Sequence, residues 1–415
     1  MRIAIVGTGI SGLVAAYLLN EEHDITVFEA NDYIGGHTNT VDVDIDGEQH
    51  AVDTGFIVYN DWTYPNFIKL LNLLDVPSQA TVMSFSVKCD QTGLEYNGTS
   101  LNGMFCQRSN LFRPRFYRFL LEILRFNRES IELLNDTSED VTIDEYLKKH
   151  GYTQEFCNKY LIPMGAAIWS CPPETFGKFP VRFVVDFYKN HGLLSVKNRP
   201  TWRVIQGGSK VYVNKLTASF RDRIRLSCPI DSAVRSGESV KLTTSSRESE
   251  EFDEVVFACH ADQALQILND AAPIEKELLS AFPYQKNIAI LHTDISVLPK
   301  RRSGWAAWNY HLSTTKTGQA TVTYDMNILQ GIESKHEFCV TLNEEELVDT
   351  DKILKQFVYH HPIYTMGRRA AQERHAEVIR KNRTSFCGAY WKNGFHEDGV
   401  NSALAVCQAF GKELE

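Results

Sequence analysis

Gly7, Gly9 and Gly12 stand at the spacing G-x-G-x-x-G, directly after an apolar run at 1–6 and directly before a helix-forming stretch at 13–19. Each position has a distinct use. At Gly7 the chain can turn tightly, at Gly9 the backbone can approach a pyrophosphate, and at Gly12 a helix can lie close on a strand. Ile10 and Ser11 then present backbone N–H groups at a helix N-terminus, whose positive dipole end favours phosphate oxygens. Glu29 ends a second strand-type run at 24–28, about twenty residues past the glycines, where a carboxylate meets a ribose hydroxyl. These residue types in this order predict a dinucleotide-binding βαβ unit.

After that unit the chain does not continue as a regular βαβα series. A helix is expected at 64–74, short strands at 82–96, and a mainly helical region from 114 to about 192, by hydrophobic periodicity. Strands are expected again at 202–205, 224–226, 239–244 and 254–259, with a helix at 262–269. A further sheet is expected from 288–292, 321–324 and 338–341. The end of the chain reads as a strand at 385–387, a glycine-rich turn, and a helix from about 401 to 410. The chain has 415 residues, 43% hydrophobic and 23% charged, enough for more than one core of ordinary globular type. A formal net charge of −9 argues against a nucleic-acid binder. Nine scattered cysteines without a C-x-x-C pair read as buried thiols in a reducing compartment, neither a disulfide framework nor a metal site. His360-His361 likewise lacks metal-site spacing. The strand begins at Arg2, which leaves no room for a cleavable leader, and no apolar stretch reaches the roughly 18 residues of a membrane span. A cytoplasmic protein is expected.

The segment Glu29-Ala30-Asn31-Asp32-Tyr33-Ile34-Gly35-Gly36-His37 resembles the second signature of the flavin-dependent amine oxidase superfamily, which includes phytoene desaturases and protoporphyrinogen oxidases. The resemblance implies FAD as cofactor, with contacts at Glu29, Ala30, Gly35, Gly36, His37 and Thr38. His37 stands where the family carries arginine, one adjustable donor in place of a permanent fork. Asp53-Thr54-Gly55-Phe56 resembles the D-x-G element and implies Thr54, Gly55 and Phe56 beside the isoalloxazine. Residues 394–403 resemble the closing flavin motif and imply Glu397, Asp398, Gly399 and Val400 at the pyrimidine end. A helix N-terminus there would stabilise charge developing at N1–C2=O. Ile230, after Cys228-Pro229, stands where the family holds adenine with backbone. No metal is implied. The fold implied is α/β, an FAD-binding Rossmann-type domain (1–62, 200–268 and 366–415) into which a mixed α+β substrate domain (63–199 and 269–365) is inserted.

Residues 53–60, 165–170, 305–310 and 388–391 together look like a bacterial subgroup linked with modification of membrane fatty acids, alongside cyclopropane- and furan-type acyl chemistry. That likeness implies desaturation of an acyl chain, a lipid or fatty-acyl substrate, and a lipid-modifying methyltransferase as a partner. Removing two hydrogens needs a hydride acceptor, which flavin supplies, and a base for the second proton. His396 is the first candidate base, since an unperturbed imidazole titrates near neutrality; the other reading is a turn histidine bonded to backbone. Tyr390, with Trp391, stands where amine oxidases place an aromatic wall, and equally reads as core. Lys286 is similar to the lysine that reaches flavin through water in those enzymes, or is a strand-end lysine in solvent. Tyr59, Trp169, Trp308 and Tyr324 are candidates for an apolar substrate tunnel.

The stretch from Arg115 to Arg128 reads as a basic amphipathic helix behind Pro114. Arg115, Arg118, Glu122, Arg125 and Arg128 are expected on one face, with Phe116, Phe119, Leu120, Ile123, Leu124 and Phe126 opposite. It fits peripheral docking on anionic lipid, or a helix covering the protein's own core. Two rivals to lipid dehydrogenation stand beside it: an amine or polyamine oxidase, and a flavin-binding accessory protein of a lipid methyltransferase without redox turnover.

Overall fold

The computed structural model describes residues 1–135, 141–195, 197–314 and 318–415. The apolar run at the start is a strand, Arg2–Val6, and the stretch after the glycines is the helix Ile10–Leu19, nine of whose ten residues are buried. Burial on all sides explains why this helix carries no polar face. Five parallel strands form the sheet around it, in the order Ile224–Arg225, Asp24–Phe28, Arg2–Val6, Glu254–Phe257, Thr384–Phe386. Three distant stretches of chain therefore meet in one Rossmann-type sheet, and the glycine loop sits at its carboxyl end, where such sheets bind ligands.

A second, seven-stranded mixed sheet draws its strands from residues 85–97 and 284–362, with Ile353–Pro362 and Leu94–Asn97 at its edges. Helices from residues 114–190 cover it and carry a separate aromatic core around Phe156, Phe176, Phe179 and Tyr188. The mixed α/β architecture matches the expected fold class.

Two expectations are corrected. The closing helix runs His396–Gln408, not from 401. Gly399 is therefore inside its first turn, where a Cβ would lie 2.6 Å from Ile10 Cγ2 and 3.0 Å from Ser11 Oγ. Glycine is needed there for close approach of two helices, not for a turn. The helix Pro114–Glu129 also presents other faces than expected. Glu122 is buried with Phe116, Phe119 and Phe126, because its carboxylate accepts from the Thr153 backbone N–H at 3.2 Å and from the Thr153 hydroxyl. Leu124 instead faces outward, 53% exposed.

Candidate functional site

The glycine loop, the second strand's end and the closing helix meet at one cavity of about 720 Å³, within the range of small-molecule and cofactor sites. Its nucleotide end follows from local geometry. A Cβ on Gly12 would lie 2.0 Å from the Gly7 carbonyl oxygen, so only glycine lets the helix close onto the loop. Gly9 caps that helix without any side-chain hydrogen bond, which leaves the N–H groups of its first turn without intrahelical partners. Glu29 is 5% exposed. One of its oxygens accepts from the Thr8 N–H (2.9 Å) and hydroxyl, the other from the N–H and side-chain amide of Asn31 (both 2.9 Å).

Of the residues assigned to cofactor binding from sequence, Gly7, Gly9, Ile10, Ser11, Glu29, Ala30, Gly35, Gly36, His37, Gly55, Phe56 and Ile230 line the cavity. The others do not. Gly12 lies behind the loop. Thr38 bonds to Tyr212 (2.6 Å) and His396 (2.9 Å), and Thr54 donates to the Asn39 carbonyl (3.0 Å). Glu397 accepts from the N–H groups of Asn66 (3.1 Å) and Phe67 (2.8 Å), capping the helix Pro65–Leu73, and Asp398 accepts from the Phe395 N–H (3.0 Å). Because the helix starts early, these two carboxylates cap helix ends, and Gly399 and Val400 are packed inside. Gly394, Phe395 and His396 reach the cavity in their place.

Of the tunnel candidates, Trp169, Trp308 and Tyr324 line the cavity. Tyr59 does not: it packs edge-on against Phe67 and Tyr64 in the core under the parallel sheet. Tyr390 is on the wall, with its ring 4.9 Å from that of Phe282, while Trp391 stacks behind it on His375 at 4.0 Å. Lys286 is exposed and off the cavity; strand alternation buries Asn287 and Ala289 and sends Lys286 to solvent. His396 lines the cavity, but its Nε2 is engaged by Thr38 and by the Tyr212 hydroxyl at 3.0 Å, and its ring stacks on Phe56 at 3.4 Å. Burial, with His37 nearby, pushes its pKa well below the usual value. Through these contacts the imidazole ties Thr38, Phe56 and Tyr212 to the closing helix, and its lowered basicity weighs against the expected role of base.

Sequence reasoning missed one wall. His37, His260 and His361 come together there, the rings of His37 and His361 parallel at 5.2 Å and those of His37 and His260 at 6.0 Å. Burial first, then neighbouring histidines, lowers His37 and His361 to about 3 and His260 to about 4. They are neutral at pH 7. Among the described residues no lysine or arginine lines the cavity and Glu29 is its only carboxylate. The donor set for a pyrophosphate is thus backbone N–H groups, a helix dipole and imidazoles. A glycine cradle, an uncapped helix N-terminus and a buried acid beside them fit the nucleotide part of FAD. Four buried donors around the cavity have no hydrogen-bond partner: the indole N–H groups of Trp169 and Trp308 and the hydroxyls of Tyr364 and Tyr390. Among the described residues no cluster of His, Cys, Asp or Glu could hold a metal ion.

The sequence model of the family described as flavin containing amine oxidoreductase matches residues 10–293. Among solved structures, cyclohexylamine oxidase from Brevibacterium oxydans IH-35A superposes with a TM-score of 0.69 at 16% identity, covering 99% of both chains. The CLA-producing fatty acid isomerase from P. acnes gives a TM-score of 0.70 at 15% identity, covering 99% of this chain and 98% of its own. Reduced UDP-galactopyranose mutase gives 0.68 at 14% identity, covering 99% and 94%. At these identities the likeness is one of fold.

Proposed function

The chain belongs to the flavin containing amine oxidoreductase family, and on that premise we propose that its FAD-dependent redox chemistry dehydrogenates an apolar, fatty-acyl type of substrate. FAD, when bound, supplies the two-electron acceptor. The observation that carries the reading is the pair of unpartnered indole donors, Trp169 and Trp308, on an apolar wall with Ile57, Val58 and Ile168. An indole N–H can only donate. It suits a carboxylate or ester carbonyl oxygen at the head of an acyl chain, and offers nothing to an ammonium. The single wall carboxylate, Glu29, is held by Thr8 and Asn31 at the nucleotide end, so a cationic amine would meet aromatic faces but no free carboxylate. An alkyl chain gains about 0.8 kcal/mol per buried methylene.

In this arrangement the chain's own residues position and exclude. The Trp169 and Trp308 donors fix the polar head, and the aromatic wall around Tyr324 and Tyr390 keeps water from the reacting carbons. His396 holds Phe56 and the closing helix in register through Thr38 and Tyr212.

Anaerobic titration of the purified holoprotein separates the readings. Unsaturated fatty acid or phospholipid is expected to bleach the flavin absorbance, and putrescine to leave it unchanged. Bleaching by putrescine alone would contradict the acyl reading in favour of an amine oxidase. Lipid that binds and bleaches nothing would contradict it in favour of an accessory protein for a lipid methyltransferase.

A further inference from the structure

The helix Pro114–Glu129 buries Phe116, Phe119 and Phe126 on its inner side. At about 100° per residue, Tyr117, Leu121, Leu124 and Arg128 form a stripe on the side directly opposite. Their exposure is that of side chains with nothing over them: Leu121 65%, Leu124 53%, Tyr117 44%. The preceding turn adds Phe112 at 86%, and the Tyr117 hydroxyl donates to the Leu111 carbonyl at 3.0 Å, which ties that turn to the stripe. A surface helix of a protein in water carries polar residues on this side.

Charge identifies what meets it. Residues 108–128 hold six arginines and one acid, Glu122, in a chain of net charge −9. Glu122 is buried, accepts from Thr153 and lies 4.0 Å from Arg118, and Glu129 at the end of the helix pairs with Arg125 at 2.9 Å and lies 3.6 Å from Arg128; six arginines against these two acids leave the surface with an excess of positive charge. Arg118 and Arg128 have side chains 69% and 80% exposed and flank the apolar stripe. Apolar side chains that project outward between long cationic ones are the chemistry of an interfacial helix, with methylenes in the acyl boundary and guanidinium groups at phosphate level.

We propose that this face, Phe112 with Tyr117, Leu121 and Leu124 between Arg118 and Arg128, docks on a bilayer containing anionic phospholipid. One core cluster joins the inner side of this helix to the cavity. Phe116 and Phe119 on the inner side of the same helix pack in one core cluster with Ala166, Ala167 and Tyr324, and Tyr324 lines the cavity wall. Docking requires no span of the bilayer; among the described residues no helix is long and apolar enough to cross one.

The test is sedimentation of the full-length holoprotein with vesicles of phosphatidylcholine alone or mixed with phosphatidylglycerol. Binding to the mixed vesicles is expected to exceed binding to the neutral ones at least tenfold and to weaken as salt is raised. The variant Phe112→Ser, Leu121→Ser, Leu124→Ser should lose at least tenfold in partitioning with unchanged flavin content and circular dichroism. Arg118→Glu with Arg128→Glu should abolish the preference for the anionic vesicles. The proposal is overturned by wild-type protein that stays in the supernatant with anionic vesicles, or by a serine variant that sediments like wild type. It is equally overturned if sedimentation velocity finds a dimer that the serine variant dissolves while neither protein binds vesicles, which would assign the face to a second copy of this chain.

Discussion

His396 and His37 illustrate how burial sets what a side chain can do. A histidine in a cofactor turn has the type of a base, yet the Nε2 of His396 is committed to Thr38 and Tyr212 and burial has lowered its basicity. His396→Gln, which can keep one such bond, is expected to hold the anaerobic rate of flavin reduction within about threefold, since loss of a general base would cost on the order of 10² or more. It should lower unfolding stability in urea by about 1 kcal/mol, the worth of a hydrogen bond. A hundredfold slower reduction with unaltered stability would restore the base role. His37 stands where the family places arginine, and burial keeps its imidazole neutral at pH 7, so this part of the cavity offers a single adjustable donor and no fixed cation.

At the scale of elements, the site depends on two helices, Ile10–Leu19 and His396–Gln408, touching along glycine and serine. Ser11 Oγ donates to the Gly399 carbonyl at 2.9 Å, and there is no room for a methyl between them. Gly399→Ala is expected to cost about 1–3 kcal/mol by overpacking and to lower the FAD retained through purification; equal flavin content and equal urea midpoint would refute this contact as the joint. The opening unit was legible because its signals are local: three glycines, a buried helix and an acid follow one another within a single βαβ turn. The start of the closing helix was not, since Gly399 looks the same in sequence whether it serves a turn or a close contact. The hairpin of Thr40–Ile45 and Glu48–Asp53 and the edge strand Ile353–Pro362 went unread because charged and polar residues interrupt their alternation. With that edge strand unread, the register that sets Gln285 opposite His361 was invisible, and so was the histidine wall. Trp169, Trp308 and Tyr324, expected beside a cavity, do line one, whereas Lys286 was misplaced because one residue does not reveal which face of a strand it occupies.

For the whole molecule, buried titratable groups set the dependence of stability on pH. Burial holds His37 and His361 at about 3, His191, His260, His292 and His375 at about 4, and His396 well below its usual value. Unfolded, these imidazoles take a proton near pH 6.5. Between about pH 6.5 and 4 the unfolded chain thus binds protons the folded chain excludes, and stability falls as pH falls, by about 1.4 kcal/mol per pH unit for each such proton. Opposing this, burial raises Asp53 to about 6 and Asp325 and Asp398 to about 7, so that the folded chain holds protons the unfolded one releases. His311, raised against burial by Glu344 and Asp90, acts in the same opposing sense. Glu397 and Asp144, raised by burial, add to this opposing set, and His23, lowered by burial, adds to the first, so that eight histidines stand against six opposing groups. The melting temperature is expected to be highest near neutral pH and to drop on going from pH 7 to 5; a protein more stable at pH 5 would show that the buried imidazoles are charged.

All three scales converge on a cavity whose nucleotide end is built from both ends of the chain. The most direct test is to purify the protein, denature it, and measure what is released. One FAD per chain, freed without covalent linkage, is expected, together with reconstitution of the yellow holoprotein when FAD is added back to refolded chain. A folded protein that is colourless and takes up no added FAD would contradict the account.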